Sequence, residues 1–221
     1  MHRFFCSSRS VRGDSLVIED KDIVHHLKDV LRLVAGEKAA FVDEAGTEYS
    51  AELVQAAAGR AVFTVLKKKT AQPRQASVTI ACAIPKKSKF DDVIDKLTQL
   101  GVDRIIPLVS ERVIVKLDAQ TAATRLARWQ RIALSASQQS QRTSVPVVEP
   151  AADFKKLIAR SGDFDLKLIP HLEGARQPLK DLLAASKPKD CLVLIGPEGD
   201  FTPAEVQLAV RAGFIPVTFG D

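Results

Sequence analysis

Near the carboxyl end of the chain the apolar positions run together instead of alternating. Cys191-Leu192-Val193-Leu194-Ile195 contains no polar residue, as a strand buried on both faces would. Gly196 and Pro197 end the run. Thr202 then reads as a helix N-cap, Pro203 suits the first helical position, and Glu205 completes a capping box. Phe201 before the cap and Val206 within the helix can close a hydrophobic staple. The stretch is strand, glycine turn, helix, and in an open α/β sheet such turns are where ligands bind. An ordinary βα connection would use Gly196 and Gly199 for the same bend. Neither a Walker loop nor a dinucleotide fingerprint is present. The turn offers bare backbone beside Glu198, which suits a ligand rich in hydrogen-bond donors better than a polyphosphate. A β-branched side chain at Gly199 would crowd such a ligand.

The first third of the chain has a different rhythm. Leu16 to Ile18, Ala39 to Val42, Tyr49 to Val54 and Ala61 to Leu66 are short strands separated by turn residues, among them Asp43-Glu44-Ala45-Gly46. Asp20 can cap one helix with Ile23, Leu27, Val30 and Leu31 inward, and Gly36 closes it. Several short strands with one helix predict a small β-barrel over residues 1–72. Lys67-Lys68-Lys69 through Pro73 reads as a basic linker and the domain boundary.

From residue 73 to 221 strands and helices alternate. Val78 to Ile84, Arg104 to Val109, Val145 to Val148, Leu166 to Ile169, Cys191 to Ile195 and Ile215 to Phe219 are strands. Ser88 can cap a helix with Phe90, Val93, Ile94 and Leu97 on one face, ended by Gly101. A longer helix over about 121–140 turns Leu126, Trp129, Ala133 and Ala136 inward, and shorter ones lie near 154–159 and 178–184. The alternation predicts a doubly wound, mostly parallel sheet.

Composition adds boundaries. A chain of 221 residues with 46% hydrophobic residues can build one or two domains with a sizeable core. A net charge of +5 permits a polyanionic partner without demanding one. Three scattered cysteines without a Cys-x-x-Cys pair argue against zinc ribbons and redox dithiols and fit a reducing cytoplasm. No metal constellation and no membrane-length apolar run are read from the sequence.

The glycine turn strongly resembles the Ile-Gly-Pro-Glu-Gly-Gly-Phe signature of the ribosomal RNA small subunit methyltransferase E family, of the SPOUT class. Further stretches resemble the same family in the right order. They are His26-Leu27-Lys28-Asp29-Val30-Leu31-Arg32, Pro85-Lys86-Lys87 through Val102, Ser110-Glu111-Arg112 with Val115-Lys116-Leu117, and Trp129 through Arg142. The resemblance implies a PUA-like RNA-binding barrel (1–72) followed by a trefoil-knotted SPOUT α/β domain (73–221). It implies an S-adenosylmethionine-dependent methylation of the ring nitrogen at position 3 of a uracil in 16S ribosomal RNA, by a homodimer. It implies donor contacts at His171, Leu172, Ile195, Gly196, Pro197, Glu198, Gly199 and Gly220. RNA contacts would be His26, Arg32, Lys86, Lys87, Arg112 and Lys116. Arg142 would stabilise the uracil anion, with Gln139 hydrogen-bonding a uracil carbonyl.

The chain also departs from the pattern. Gln99 and Gln138 stand where relatives usually have glutamate, and Gln141 and Asp200 where glycine is usual. Relatives continue beyond the last strand with a loop and a helix that complete the knot and donor pocket, so the resemblance implies a truncated domain. Two alternatives therefore stay open: an RNA-binding protein of this fold with weak or no catalysis, and a small-molecule nucleotide-binding enzyme.

Overall fold

In a computed structural model of the chain, the described residues are all except 58, 71–74, 86–88, 114–117, 173 and 219–221. Ser88, the end of the expected linker, and the candidate residues Lys86, Lys87, Lys116 and Gly220 lie outside the described residues. Contacts divide the chain into two compact units, Met1–Pro73 with Ser137–Ser144, and Arg74–Ala136 with Val145–Asp221.

The first unit runs β1 (Arg3–Phe5), β2 (Val11–Arg12), β3 (Ser15–Ile18), α1 (Lys21–His25), β4 (Lys38–Val42), β5 (Glu48–Ala57) and β6 (Arg60–Lys69). Its six strands form one sheet in the order β1-β4-β5-β6-β3-β2. The β1–β4 pair is parallel and the others are antiparallel. The expected small barrel is thus an open, half-barrel sheet of PUA-like type, because β1 and β2 pair only on one side among the described residues. Its core gathers Phe4, Leu16, Leu27, Phe41, Tyr49 and Phe63. Asp43 organises the β4–β5 turn, accepting from the amides of Ala45 and Thr47 and from the Tyr49 hydroxyl (2.8 Å).

Two expectations in this unit need correcting. Asp20 caps α1 through the amides of Asp22 and Ile23, as read. The helix then widens into a π-turn, His26–Val30. The extra residue per turn rotates the later side chains about the axis, so Leu27 is buried while Val30 is 60% exposed instead of inward. The lysine triplet is not a linker. It is the end of β6, with Lys67, Lys68 and Lys69 opposite Ser50, Tyr49 and Glu48. Cross-strand pairing supplies what the local sequence hides: Lys68 sits over the Tyr49 ring and Lys69 faces a carboxylate residue.

The second unit keeps the expected alternation. Its elements are β7 (Ser77–Ala83), α2 (Lys89–Leu100), β8 (Arg104–Val109), α3 (Ala119–Gln139), β9 (Val147–Val148), β10 (Ala152–Asp153), α4 (Phe154–Ala159), β11 (Leu166–Pro170), β12 (Gln177–Pro178), α5 (Leu179–Ala185), β13 (Asp190–Ile195), α6 (Pro203–Arg211) and β14 (Ile215–Thr218). The last residues of α3 cluster with the first unit. All pairs in the eight-stranded sheet are parallel, in the order β10-β8-β7-β13-β11-β14-β12, with β9 also on β8. β13 lies between β7 and β11, which explains its unbroken apolar run. On α2, Phe90 and Ile94 are buried, and Phe90 meets Trp129 of α3 edge to face with ring centroids 4.8 Å apart. Gln99, one of the departures, donates to Asp95 one turn back (2.8 Å). A glutamate there would set like charges at i, i+4, so the amide suits this helix.

Candidate functional site

The carboxyl ends of β11, β13 and β14 surround a cavity of about 350 Å³. Its walls are the segment 170–172 with Arg176, the turn 195–198 with Asp200, and Val217 and Thr218. Of the residues expected at a donor site, His171, Leu172, Ile195, Gly196, Pro197 and Glu198 are here together. Gly199 is not part of the wall. Its carbonyl instead accepts a hydrogen bond from Arg112 Nη1. A Cβ at Gly199 would meet only the Arg112 side chain, at 3.7 Å. At Gly196 a Cβ would stand 3.2 Å from Asp200 Oδ1 and 3.3 Å from the buried Phe201 ring. The close approach that glycine serves belongs to Gly196.

The turn is held at both ends by side chains. The Asp200 amide bonds to the Pro197 carbonyl (2.9 Å), closing a tight turn. Asp200 takes φ +60°, and its carboxylate accepts from the Phe201 amide (2.7 Å), from His171 Nδ1 (2.8 Å) and from the Leu172 amide (3.4 Å). At the far end Thr202 caps α6 in a capping box with Glu205. Glu205 is buried and reaches further, accepting from the amides of Thr202 and of Glu111 in the loop after β8 (both 2.9 Å). Phe201 is buried in a core cluster against which Val206 also packs.

Other candidates lie elsewhere. Gln139 ends α3, exposed, and Arg142 is buried just beyond it, within the segment that clusters with the first unit. The Arg142 carbonyl accepts from Arg3 Nη1 (3.2 Å), and Arg3 also pairs with Glu48 (3.0 Å). The Arg142 side chain donates from Nη2 to Ser144 Oγ (3.4 Å). His26 is exposed and edge-on to the Phe4 ring, and Arg32 is exposed at φ +53°.

An RNA methyltransferase domain family matches residues 72–221, and an RNA methyltransferase PUA domain matches residues 18–66. The ribosomal RNA small subunit methyltransferase E of Bacillus subtilis is 34% identical, over 83% of this chain and 74% of that protein. The chain belongs to the ribosomal RNA small subunit methyltransferase E family. It is an RNA methyltransferase. The family's Synechocystis member is 30% identical over 89% of this chain, but the match spans only 64% of that longer protein. A crystal structure of the Neisseria gonorrhoeae member bound to S-adenosyl methionine superposes with a TM-score of 0.85 at 33% identity, covering 100% of this chain and 89% of that one.

Set against the family signature, two contributors to this site were not legible. Arg176 lines the cavity and donates to the His171 carbonyl (3.2 Å), yet no motif marks it. Asp200 read only as a departure from glycine, because its partner is 29 residues away. The thiols offer no nucleophile near neutral pH. Burial pushes Cys82 up to about 12, and burial with neighbouring Asp190 pushes Cys191 up to about 11. Among the described residues no helix is long and apolar enough to cross a membrane.

Proposed function

We propose that this chain methylates N3 of a uracil in 16S ribosomal RNA, with S-adenosylmethionine as donor, as a cytoplasmic homodimer. The observation that carries the reading is the cavity of about 350 Å³ at the carboxyl ends of three adjacent parallel strands. That volume is within the range of small-ligand sites, about 300–1,000 Å³. The residues fit the donor. Backbone at 195–197 leaves room for close approach, and Glu198 brings a carboxylate to the wall that suits a ligand whose sulfonium and ammonium groups are cationic. The relatives named as small-subunit ribosomal RNA methyltransferases support an rRNA substrate, and the donor-bound Neisseria structure supports the donor.

S-adenosylmethionine supplies an electrophilic methyl group on sulfur. The rest of the chemistry belongs to the chain. Uracil N3 is an imide nitrogen, so its proton must leave before or during methyl transfer. Arg142 is assigned to hold the developing negative charge and Gln139 to hydrogen-bond a uracil carbonyl. His26, Arg32, Lys86, Lys87, Arg112 and Lys116 are assigned to phosphates and bases. Of these, Arg112 also braces the Gly199 carbonyl, so it would couple RNA contact to the turn.

Transfer of a tritiated methyl group to small-subunit RNA tests the proposal. N3 lies on the pairing edge of uracil, so the modified base will stop reverse transcription at one position. RNA binding without any transfer would leave a non-catalytic binder and overturn the assignment. Arg32→Ala will flatten the dependence of log affinity on log salt by about 0.7 to 0.9, one phosphate contact. An unchanged slope removes Arg32 from the interface.

A further inference from the structure

A non-glycine residue keeps a left-handed conformation only where its surroundings fix it, and such positions gather at functional sites. Asp200 is one, held by its amide on the Pro197 carbonyl, by Arg112 on its own carbonyl and by its carboxylate on the Phe201 amide. One oxygen accepts from the Phe201 amide, and the other accepts from His171 Nδ1 and the Leu172 amide. The carboxylate thereby joins the turn after β13 to the exit of β11. Asp200 and His171 both line the cavity, with side chains only 22% and 14% exposed. Their backbones are tied independently, the Asp200 carbonyl by Arg112 (3.5 Å) and the His171 carbonyl by Arg176 (3.2 Å). What the carboxylate adds is the orientation of the imidazole.

We propose that Asp200 is a positioning residue for the methyl donor, holding His171 so that its Nε2 faces the donor as a hydrogen-bond acceptor. The proposal rests on the reading of this cavity as the S-adenosylmethionine site. A neutral imidazole carries one N–H, and the hydrogen bond made at one nitrogen sets the state of the other. In the neutral ring an ionised carboxylate, which only accepts, takes the N–H at Nδ1 and leaves the lone pair at Nε2. A lone pair at the wall suits the donor's ammonium group, adenine amine or ribose hydroxyls. Without Asp200 the ring is free to turn or to exchange tautomers, which would set an N–H against those same donors.

Isothermal titration of S-adenosylmethionine into wild type, Asp200→Gly, Asp200→Asn, His171→Ala and the Asp200→Gly/His171→Ala double variant tests this, with nitrogen NMR of the His171 ring. Asp200→Gly and His171→Ala will each weaken binding about tenfold, the size of one charge-assisted hydrogen bond. The double variant will lose no more than either alone, because the two residues act through one contact. Asp200→Asn tolerates the left-handed backbone and can offer its one oxygen to Nδ1 while giving up the Phe201 bond, so it will stay within about threefold of wild type. The Nδ1-protonated tautomer will be seen in wild type and Asp200→Asn and lost in Asp200→Gly. Additive losses in the double variant, wild-type affinity in Asp200→Gly, or a folded Asp200→Asn that binds as poorly as Asp200→Gly would each overturn the proposal. A wild-type protein that binds no S-adenosylmethionine sinks the proposed function instead. The ring signal then decides the positioning role alone, and an unchanged tautomer in Asp200→Gly ends it.

Discussion

The turn from Gly196 to Asp200 and the turn from Ser140 to Arg142 each hold one non-glycine residue in the left-handed region, where glycine is favoured. Asp200 sits at φ +60° and Gln141 at φ +56°. The two turns solve the strain differently. Around Asp200 the side chain is a fastener in addition to the backbone, with three hydrogen bonds across two loops. Around Gln141 the backbone is the fastener. The Gln141 and Arg142 amides bond back to the carbonyls of Gln138 (3.3 Å) and Ser137 (3.0 Å), and Arg3 holds the Arg142 carbonyl. The Gln141 side chain itself is exposed, with no hydrogen-bond partner among the described residues. A non-glycine residue therefore means different things at the two places. At Asp200 it introduces a contact at the cavity wall, and at Gln141 it introduces only conformational cost.

The largest effect will come from filling the first turn. Gly196→Val places its Cβ against Asp200 and the buried Phe201 ring, and the branched methyl groups then have to occupy the cavity. Overpacking of this kind costs about 1–3 kcal/mol of stability, and donor affinity should fall at least tenfold, roughly 1.4 kcal/mol. Gly199→Val is the matched control, since its Cβ meets only Arg112 in ordinary contact. Titration with S-adenosylmethionine alongside thermal melts reads both. Equal losses for the pair would mean that the turn responds as a unit and that the distinction between its two glycines is empty.

The next effect concerns how the first turn is anchored. Glu205 is buried and accepts from the amides of Thr202 and Glu111 and from the Thr202 hydroxyl, so Glu205→Ala leaves three donors without this acceptor. The expected cost is about 1–3 kcal/mol. Thr202→Ala removes only the cap hydroxyl and should cost about 1 kcal/mol. Chemical denaturation of both variants orders them. A Glu205→Ala change no larger than that of Thr202→Ala would show that the bond to Glu111 contributes nothing.

Which of these features could be read from the sequence depends on how far apart the partners are. The capping box is written in four adjacent residues, and the buried strand Cys191 to Ile195 in five. Both formed as read. The face of α2 carried by Phe90 and Ile94 is also local. The strand nature of Lys67 to Lys69 is not, because it depends on Glu48 and Tyr49 across the sheet. The π-turn after His25 rotates Val30 outward without any spacing signal that marks it. β1 and β2 are too short, at three and two residues, for alternation to show. At the cavity, His171 was legible because it comes after a strand and Gly196 because it ends one. Asp200 was visible only as an oddity, and the bond that explains it spans two loops. Local rules thus recover the strand ends that frame the site and miss the side chains that cross it.

The smallest effect is the sharpest test of the comparison. A left-handed conformation costs a residue such as glutamine roughly 1–2 kcal/mol relative to glycine. Glycine in turn loses more freedom on folding, a penalty of about 0.5–1 kcal/mol relative to alanine. For Gln141→Gly the two terms nearly balance, and the backbone bonds to Gln138 and Ser137 need no side chain. The variant should therefore be neutral or more stable, by up to about 1 kcal/mol. For Asp200→Gly the same relief is opposed by the loss of three hydrogen bonds, each worth roughly 0.5–1.5 kcal/mol, so the net change has the opposite sign. The test is therefore the sign of the difference rather than the size of either value. Urea unfolding of the two glycine variants beside wild type measures it. Should Gln141→Gly destabilise the protein as much as Asp200→Gly, the glutamine side chain holds its turn after all, and the two turns are built alike.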